Sequence, residues 1–77
     1  MGTTYVITDG GRKEDLTAFS PQIAAILEFY QQEGRASSEV AAHHTGISQG
    51  AVSSVIRALI RERLLKAEGD GYDWRYA

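Results

Sequence analysis

The basic side chains of this 77-residue chain concentrate in one segment. Residues 48–66 carry Arg57, Arg61, Arg63 and Lys66 against Glu62 alone, a net charge of +3, although the whole chain has −2. Residues 1–19, 20–47 and 67–77 have net charges of −1, −2 and −2. Arginine and lysine at this density are typical of surfaces that bind phosphates. The charge distribution therefore favours non-covalent binding of an anionic partner by residues 48–66.

A helical period places two of these cations, Arg57 and Arg61, on one side of the segment. At roughly 100° per residue, one face collects apolar residues and the opposite face collects small and basic ones. The apolar face consists of Val52, Val55, Ile56, Leu59 and Ile60. The opposite face consists of Gly50, Ser53, Ser54, Arg57 and Arg61. Ser48 is a good N-cap, so we predict that the helix begins there. The side chains of its outer face are small near the start of the helix and cationic further along.

Two earlier helices are predicted to support this third one. Ser20-Pro21 is typical of a helix start, and Ile23, Ile26, Leu27 and Tyr30 then recur at helical spacing until Gly34. Ser37-Ser38-Glu39 predicts the start of a short second helix that reaches about His44, and Thr45-Gly46 ends it. Phe29 lies off the apolar stripe, so we expect either the N-terminal strand or a second subunit to cover it.

Strand-like patterns flank the helices. Residues 4–8 are β-branched and aromatic, which predicts a short strand. The turn signal Asp9-Gly-Gly11 follows it, so this strand could form the first arm of a hairpin. Residues 65–68 and 72–76 flank Gly69-Asp70-Gly71, which predicts a second hairpin. Tyr72, Trp74 and Tyr76 form an aromatic face that either covers the core or stacks on bases.

The turn before the third helix carries a family resemblance. Gly46-Ile47-Ser48 is followed by Val52 six residues after the glycine, and Val55-Ile56, Leu59 and Leu64-Leu65 continue the core spacing. From Ser20 to Tyr76 the sequence resembles the winged helix-turn-helix proteins found among small bacterial, archaeal and phage regulators. The resemblance implies a mainly α fold with a three-helix core, a C-terminal β-hairpin wing and a short N-terminal strand. We predict an N-terminal arm at residues 1–19 and the winged domain at residues 20–77.

Two positions depart from the family pattern. The family places large apolar residues five before the glycine and immediately before it, where this chain has Ala41 and Thr45. Val40 stands one residue earlier, so the second helix is either shifted by one residue or packed less tightly. The predicted wing carries Glu68, Asp70 and Asp73, where wings that grip phosphates favour lysine or arginine.

The resemblance implies sequence-specific binding of double-stranded DNA by a transcriptional regulator, with the third helix in the major groove. The candidate DNA-binding residues are Ser48, Gln49, Gly50, Ser53, Ser54, Arg57, Arg61, Lys66 and Arg75. A homodimer on two half-sites is the expected way to gain affinity. The alternative for the candidate residues is a solvated helix face. The alternative function, which the acidic net charge favours, is a protein-interaction module within a transcription or replication assembly.

Other function classes are disfavoured. The chain has no cysteine, and His43 and His44 point about 100° apart on a helix, so we expect no metal site. No nucleophile–histidine–carboxylate pattern or phosphate-binding glycine loop is present, so we predict neither an enzyme nor a cofactor or small-molecule ligand. No apolar run reaches the roughly 20 residues of a membrane helix. The expected compartment is the cytoplasm, or a nucleus.

Overall fold

The computed structural model describes residues 3–68. In chain order these form β1 (Thr4–Ile7), α1 (Asp9–Arg12), a 3-10 turn (Leu16–Ala18), α2 (Pro21–Glu33), β2 (Arg35–Ser37), α3 (Ser38–Thr45), α4 (Gln49–Arg61) and β3 (Leu65–Glu68). The fold is mainly helical with a small antiparallel sheet, which confirms the predicted class. The predicted first, second and third helices correspond to α2, α3 and α4. The predicted turn at 69–71, the strand at 72–76, Trp74 and Arg75 lie outside the described residues.

The N-terminal strand lies in the middle of the sheet. Among residues 3–68 the strand order is β2-β1-β3, and both pairings are antiparallel. Tyr5 is opposite Ala36 of β2 and Ala67 of β3. The expectation that β1 begins a local hairpin is wrong, because both of its partners are distant in sequence and the Asp9-Gly-Gly11 segment forms the short helix α1. β2 was not predicted from the sequence.

The core fills the space between the three longer helices and the sheet. Ile26, Leu27 and Tyr30 of α2 are fully buried, and the Tyr30 hydroxyl donates to the carbonyl oxygen of Ala36 at 2.9 Å. Burial raises the pKa of Tyr30, because the charged phenolate would lose its hydration, and the nearby Tyr5 adds to the effect. This hydrogen bond ties α2 to β2. The remaining buried apolar residues are Ile7, Phe29, Ala41, Val52, Val55, Ile56, Leu59, Leu64 and Leu65.

Phe29 is part of this core within one copy of the chain. Its side chain is 6% exposed, and its ring packs edge-on against Tyr30, with the centroids 5.2 Å apart. On the other side the His44 ring of α3 lies 5.1 Å away at a tilt. Phe29 therefore needs no second subunit to cover it, which corrects that part of the sequence-based expectation.

No helix within residues 3–68 has the length and apolar character required to cross a bilayer.

α3 keeps the family register by using small residues. Ala41 is fully buried and Val40 is 50% exposed, so the helix is not shifted by one residue toward Val40. Thr45 stands where the family has a second large apolar residue. Its hydroxyl donates to the carbonyl oxygen of Ala41 at 2.8 Å, so this polar group has a hydrogen-bond partner. Ala41 takes the core position because a small side chain there suffices where α3 packs on α2 and α4.

Candidate nucleic-acid interface

The turn between α3 and α4 is built by local capping. Gly46 ends α3 in the left-handed conformation with φ +74, which glycine adopts without steric cost. Its N–H donates to the carbonyl oxygen of Ala42 at 2.9 Å. Ser48 then caps α4, because its hydroxyl accepts from the backbone N–H of Ala51 at 3.3 Å. The two caps fix the angle at which α4 leaves the turn.

One face of α4 is committed to the core. Val52, Val55, Ile56 and Leu59 are all buried, and α4 packs on α3, α2 and β3. The helix therefore has no freedom to rotate about its axis, since rotation would expose this apolar face to water. The opposite face is held toward the solvent by the same packing.

That opposite face contains seven of the predicted site residues, which we call the α4 surface. It consists of Ser48, Gln49, Gly50, Ser53, Ser54, Arg57 and Arg61, all exposed except Ser53, which is half-buried. Arg57 is four residues from both Ser53 and Arg61, so these three lie along one line of the helix. The α4 surface is small at its start and carries two guanidinium groups at its end.

Gln49 connects the start of α4 to the start of α3. Its side-chain amide donates to the hydroxyl of Ser38 at 3.4 Å. Ser38 was missed as a neighbour of the site, because eleven residues separate it from Gln49 and only the helix-turn-helix geometry brings them together. The first turn of α3 therefore borders the α4 surface.

Lys66 lies on the sheet rather than on α4. It is exposed in β3 opposite Val6, and residues two apart on a strand share a face, so Glu68 lies on the same side of the sheet. Glu68 forms an ion pair with Arg35 of β2 across the central strand, at 3.0 Å. Arg35 therefore compensates the charge of Glu68, the first acidic residue of the predicted wing. Arg75 lies outside the described residues.

This arrangement of helices and strands is shared with a known protein family. The sequence profile of the winged helix-turn-helix DNA-binding family matches residues 23–66, more than half of the chain. The chain belongs to this family. No curated protein and no solved structure matches it.

The matched residues coincide with the elements that build the winged-helix core. They begin near the start of α2, contain β2, α3 and all of α4, and end within β3. The match excludes β1 and α1, so the strand at the centre of this sheet lies before the part that the family profile describes. The family membership therefore supports the DNA-binding function of the helix-turn-helix and carries no information about β1.

Proposed function

We propose that the chain binds double-stranded DNA sequence-specifically, with α4 in the major groove, and acts as a transcriptional regulator. The observation that carries this proposal is the α4 surface, which is exposed and cationic on a helix whose other face is fully used in the core. A helix fits the major groove when its outer face is small enough to approach the base edges. The DNA-binding family to which the chain belongs supports the same partner.

We assign different roles to the two ends of the α4 surface. Gly50, Ser53 and Ser54 allow the first half of α4 to enter the groove, while Ser48 and Gln49 at its start offer polar groups to the backbone or to bases. Arg57 lies mid-helix, where a guanidinium can reach the acceptor atoms of guanine. Arg61, Lys66 and Arg75 are proposed to contact phosphates.

Two copies of the chain are proposed to act together on DNA. A single small module of this kind buries about 600–1,000 Å² of protein surface on DNA, less than most specific complexes. Two copies on half-sites about one helical turn apart would double that area. Regulation would then follow from occupying the site, which requires no ligand-sensing domain.

A protein-interaction module is the second candidate function, and two observations favour it. The net charge of the chain is −2, and the predicted wing carries Glu68, Asp70 and Asp73. Acidic residues are repelled by DNA phosphates, so they suit a protein partner better than DNA. The basic α4 surface opposes this function.

Comparing two arginines tests the DNA-binding proposal. Arg57→Ala should weaken binding to duplex DNA by about 1–3 kcal/mol if Arg57 contacts a base. Arg12→Ala is the matched control, because Arg12 is also an exposed arginine but does not belong to the α4 surface. Its guanidinium lies beside Gly34, just before β2. We expect little change in affinity for the control. Titration of labelled duplex by fluorescence anisotropy, at two salt concentrations, measures both variants.

The same titrations separate the two candidate functions. Binding by wild-type chain that weakens as salt increases indicates release of counterions from DNA phosphates. Equal losses for Arg57→Ala and Arg12→Ala would remove α4 as the recognition element. No binding at low salt would instead favour the protein-interaction module.

A further inference from the structure

The end of α4 has a backbone conformation that its residue type disfavours. Within residues 3–68, Arg63 is the one residue other than glycine with a positive φ, +65. Its N–H donates to the carbonyl oxygen of Ile60 at 2.9 Å, and the N–H of Leu64 donates to that of Leu59 at 2.8 Å. These two hydrogen bonds form a Schellman motif, in which the left-handed position is usually a glycine.

The same chain uses glycine at the equivalent point of its other two long helices. α2 ends at Gly34 with φ +86, and α3 ends at Gly46 with φ +74. An arginine in this conformation brings its Cβ close to the following carbonyl oxygen, which glycine avoids. The backbone conformation alone therefore favours glycine over arginine at position 63.

Hydrogen bonds from Thr8, which follows β1 and caps α1, hold Arg63 in this conformation. The hydroxyl of Thr8 donates to the carbonyl oxygen of Arg63 at 2.8 Å. The N–H of Thr8 donates to the carbonyl oxygen of Leu64 at 3.0 Å. Strained residues persist when the surrounding structure determines them in this way, and they concentrate at functional sites. The backbone of Arg63 is thus fixed against Thr8, at the end of the central strand, while its side chain is exposed.

Glu62 and Leu64 flank Arg63 directly, and two cations of the basic segment, residues 48–66, lie two and three residues away. Arg61 precedes it at the end of α4 and Lys66 follows it in β3. The ion pair described for residues 3–68 joins Arg35 to Glu68, and none of these three cations takes part in it. A phosphate is the ligand that a guanidinium in such surroundings fits best.

We propose that Arg63 binds a backbone phosphate of duplex DNA at the junction of α4 and β3. This inference rests on the proposed function, and it adds a contact that fixes how far α4 advances along the groove. Phosphate contacts of this kind set register and orientation without reading sequence. The hydrogen bond from Thr8 fixes the backbone of Arg63 relative to the sheet, so the side chain of Arg63 extends from a fixed point.

A structural explanation makes a different prediction. A cation near the C-terminus of a helix interacts favourably with the helix dipole, so Arg63 would then stabilise the fold and leave DNA binding unchanged when replaced. The two explanations therefore predict different effects of replacing Arg63, both on the stability of the chain and on its affinity for DNA.

The test uses Arg63→Asn, with Arg12→Asn as the matched control. Asparagine tolerates the left-handed conformation and carries no charge, so the backbone is preserved while the proposed contact is lost. Denaturant unfolding measures stability, and titration of random-sequence duplex at several salt concentrations measures binding. We expect Arg63→Asn to fold at least as stably as the wild-type chain and to bind more weakly. Its salt dependence should be shallower by about one phosphate contact, whereas that of Arg12→Asn should not change.

The salt dependence gives a quantitative criterion. With about 0.9 counterion released per phosphate contact, the ratio of wild-type to Arg63→Asn affinity should fall roughly 3–4-fold between about 50 and about 200 mM salt. A constant ratio, or reduced stability with unchanged affinity, would overturn the inference. If wild-type chain binds and Arg57→Ala weakens it while Arg63→Asn does not, only this inference fails. If wild-type chain does not bind duplex at all, the proposed function fails with it.

Discussion

Gly50 is a residue whose presence the fold does not explain. It lies in the first turn of α4, and no heavy atom lies within 4 Å of where a Cβ would be. Its φ is not in the positive range that requires glycine. Glycine destabilises a helix by up to about 1 kcal/mol relative to alanine. The proposed close approach of DNA to the α4 surface supplies a physical reason for glycine at this position.

Gly50→Ala is therefore expected to separate stability from binding. We expect an increase in the free energy of unfolding of about 0.5–1 kcal/mol, because alanine has the higher helix propensity. Duplex binding should weaken roughly fivefold or more, about 1 kcal/mol, because the added methyl group holds α4 away from the base edges. Urea unfolding and duplex titration measure the two effects. Gly10→Ala in α1 is the control, and it should leave affinity unchanged; unchanged affinity for Gly50→Ala would contradict a groove-facing role.

Residue patterns predicted α4 well because its information is local. The N-cap at Ser48 and the buried face from Val52 to Leu59 both follow from spacing within one helix. The register of α3 did not follow, because Val40 is the more hydrophobic residue and Ala41 is the buried one. Which of two neighbours is buried depends on the space that α2 and α4 leave, and that space is a property of their packing.

At the scale of elements, β1 joins the sheet to both ends of the helix-turn-helix. It pairs with β2, which leads into α3, and with β3, which follows α4. The helix α1 comes directly after β1, and the side chain of Gln31 on α2 donates to the carbonyl oxygen of Gly11 at 2.9 Å. Gly11 is buried where α1 meets the start of β3. A glycine is required there because the backbone of Leu64 and the side chain of Ile7 both lie close to it.

Two adjacent glycines test this packing. A Cβ on Gly11 would meet the carbonyl oxygen of Leu64 and would lie 2.6 Å from Cδ1 of Ile7, whereas a Cβ on Gly10 would have Thr8 Oγ1 as its nearest neighbour at 3.9 Å. Gly11→Ala should lower the free energy of unfolding by about 1–3 kcal/mol or more, as overpacking does. Gly10→Ala should be neutral or stabilising. Thermal unfolding followed by circular dichroism compares them; equal stabilities would show that α1 can move away from β3.

The sheet was only partly predictable from the sequence. β1 and β3 were predicted as strands because they are several residues long and carry β-branched or alternating residues. β2 has three residues, Arg35–Ser37, and its strand conformation comes from pairing with β1 rather than from propensity. The order β2-β1-β3 joins residues more than 25 positions apart, and no local pattern specifies such pairings.

At the scale of the whole molecule, opposite charges are separated along the chain. Residues 48–66 have a net charge of +3 and the chain has −2, so the remaining residues carry −5 in total. Approach to DNA is therefore favourable only when the basic segment faces it, because the acidic parts are repelled by phosphates. In the proposed complex the charge separation would orient the domain, and it would also limit how many surfaces of one copy can touch DNA at once.

The proposal that two copies occupy one DNA site belongs to this scale. Phe29 is buried within a single copy, and Val40 is the exposed large apolar residue among those described. A single exposed valine is a small apolar surface for joining two free copies. We expect the free chain to sediment as a monomer even at high micromolar concentration. Two copies should bind a selected duplex that contains two half-sites about one helical turn apart.

Sedimentation velocity of the free chain and of the complex measures both states, with Val40→Ser as a control. Because the two copies are proposed to meet on DNA rather than through α3, Val40→Ser should leave the monomer and the two-copy complex unchanged. A free dimer that Val40→Ser dissociates would contradict the expectation and place a protein interface on α3. One copy per duplex on every selected sequence would remove the two-copy proposal. Affinity would then depend on the contacts of a single domain, so that Arg57, Arg61 and Arg63 would each have to supply more of it.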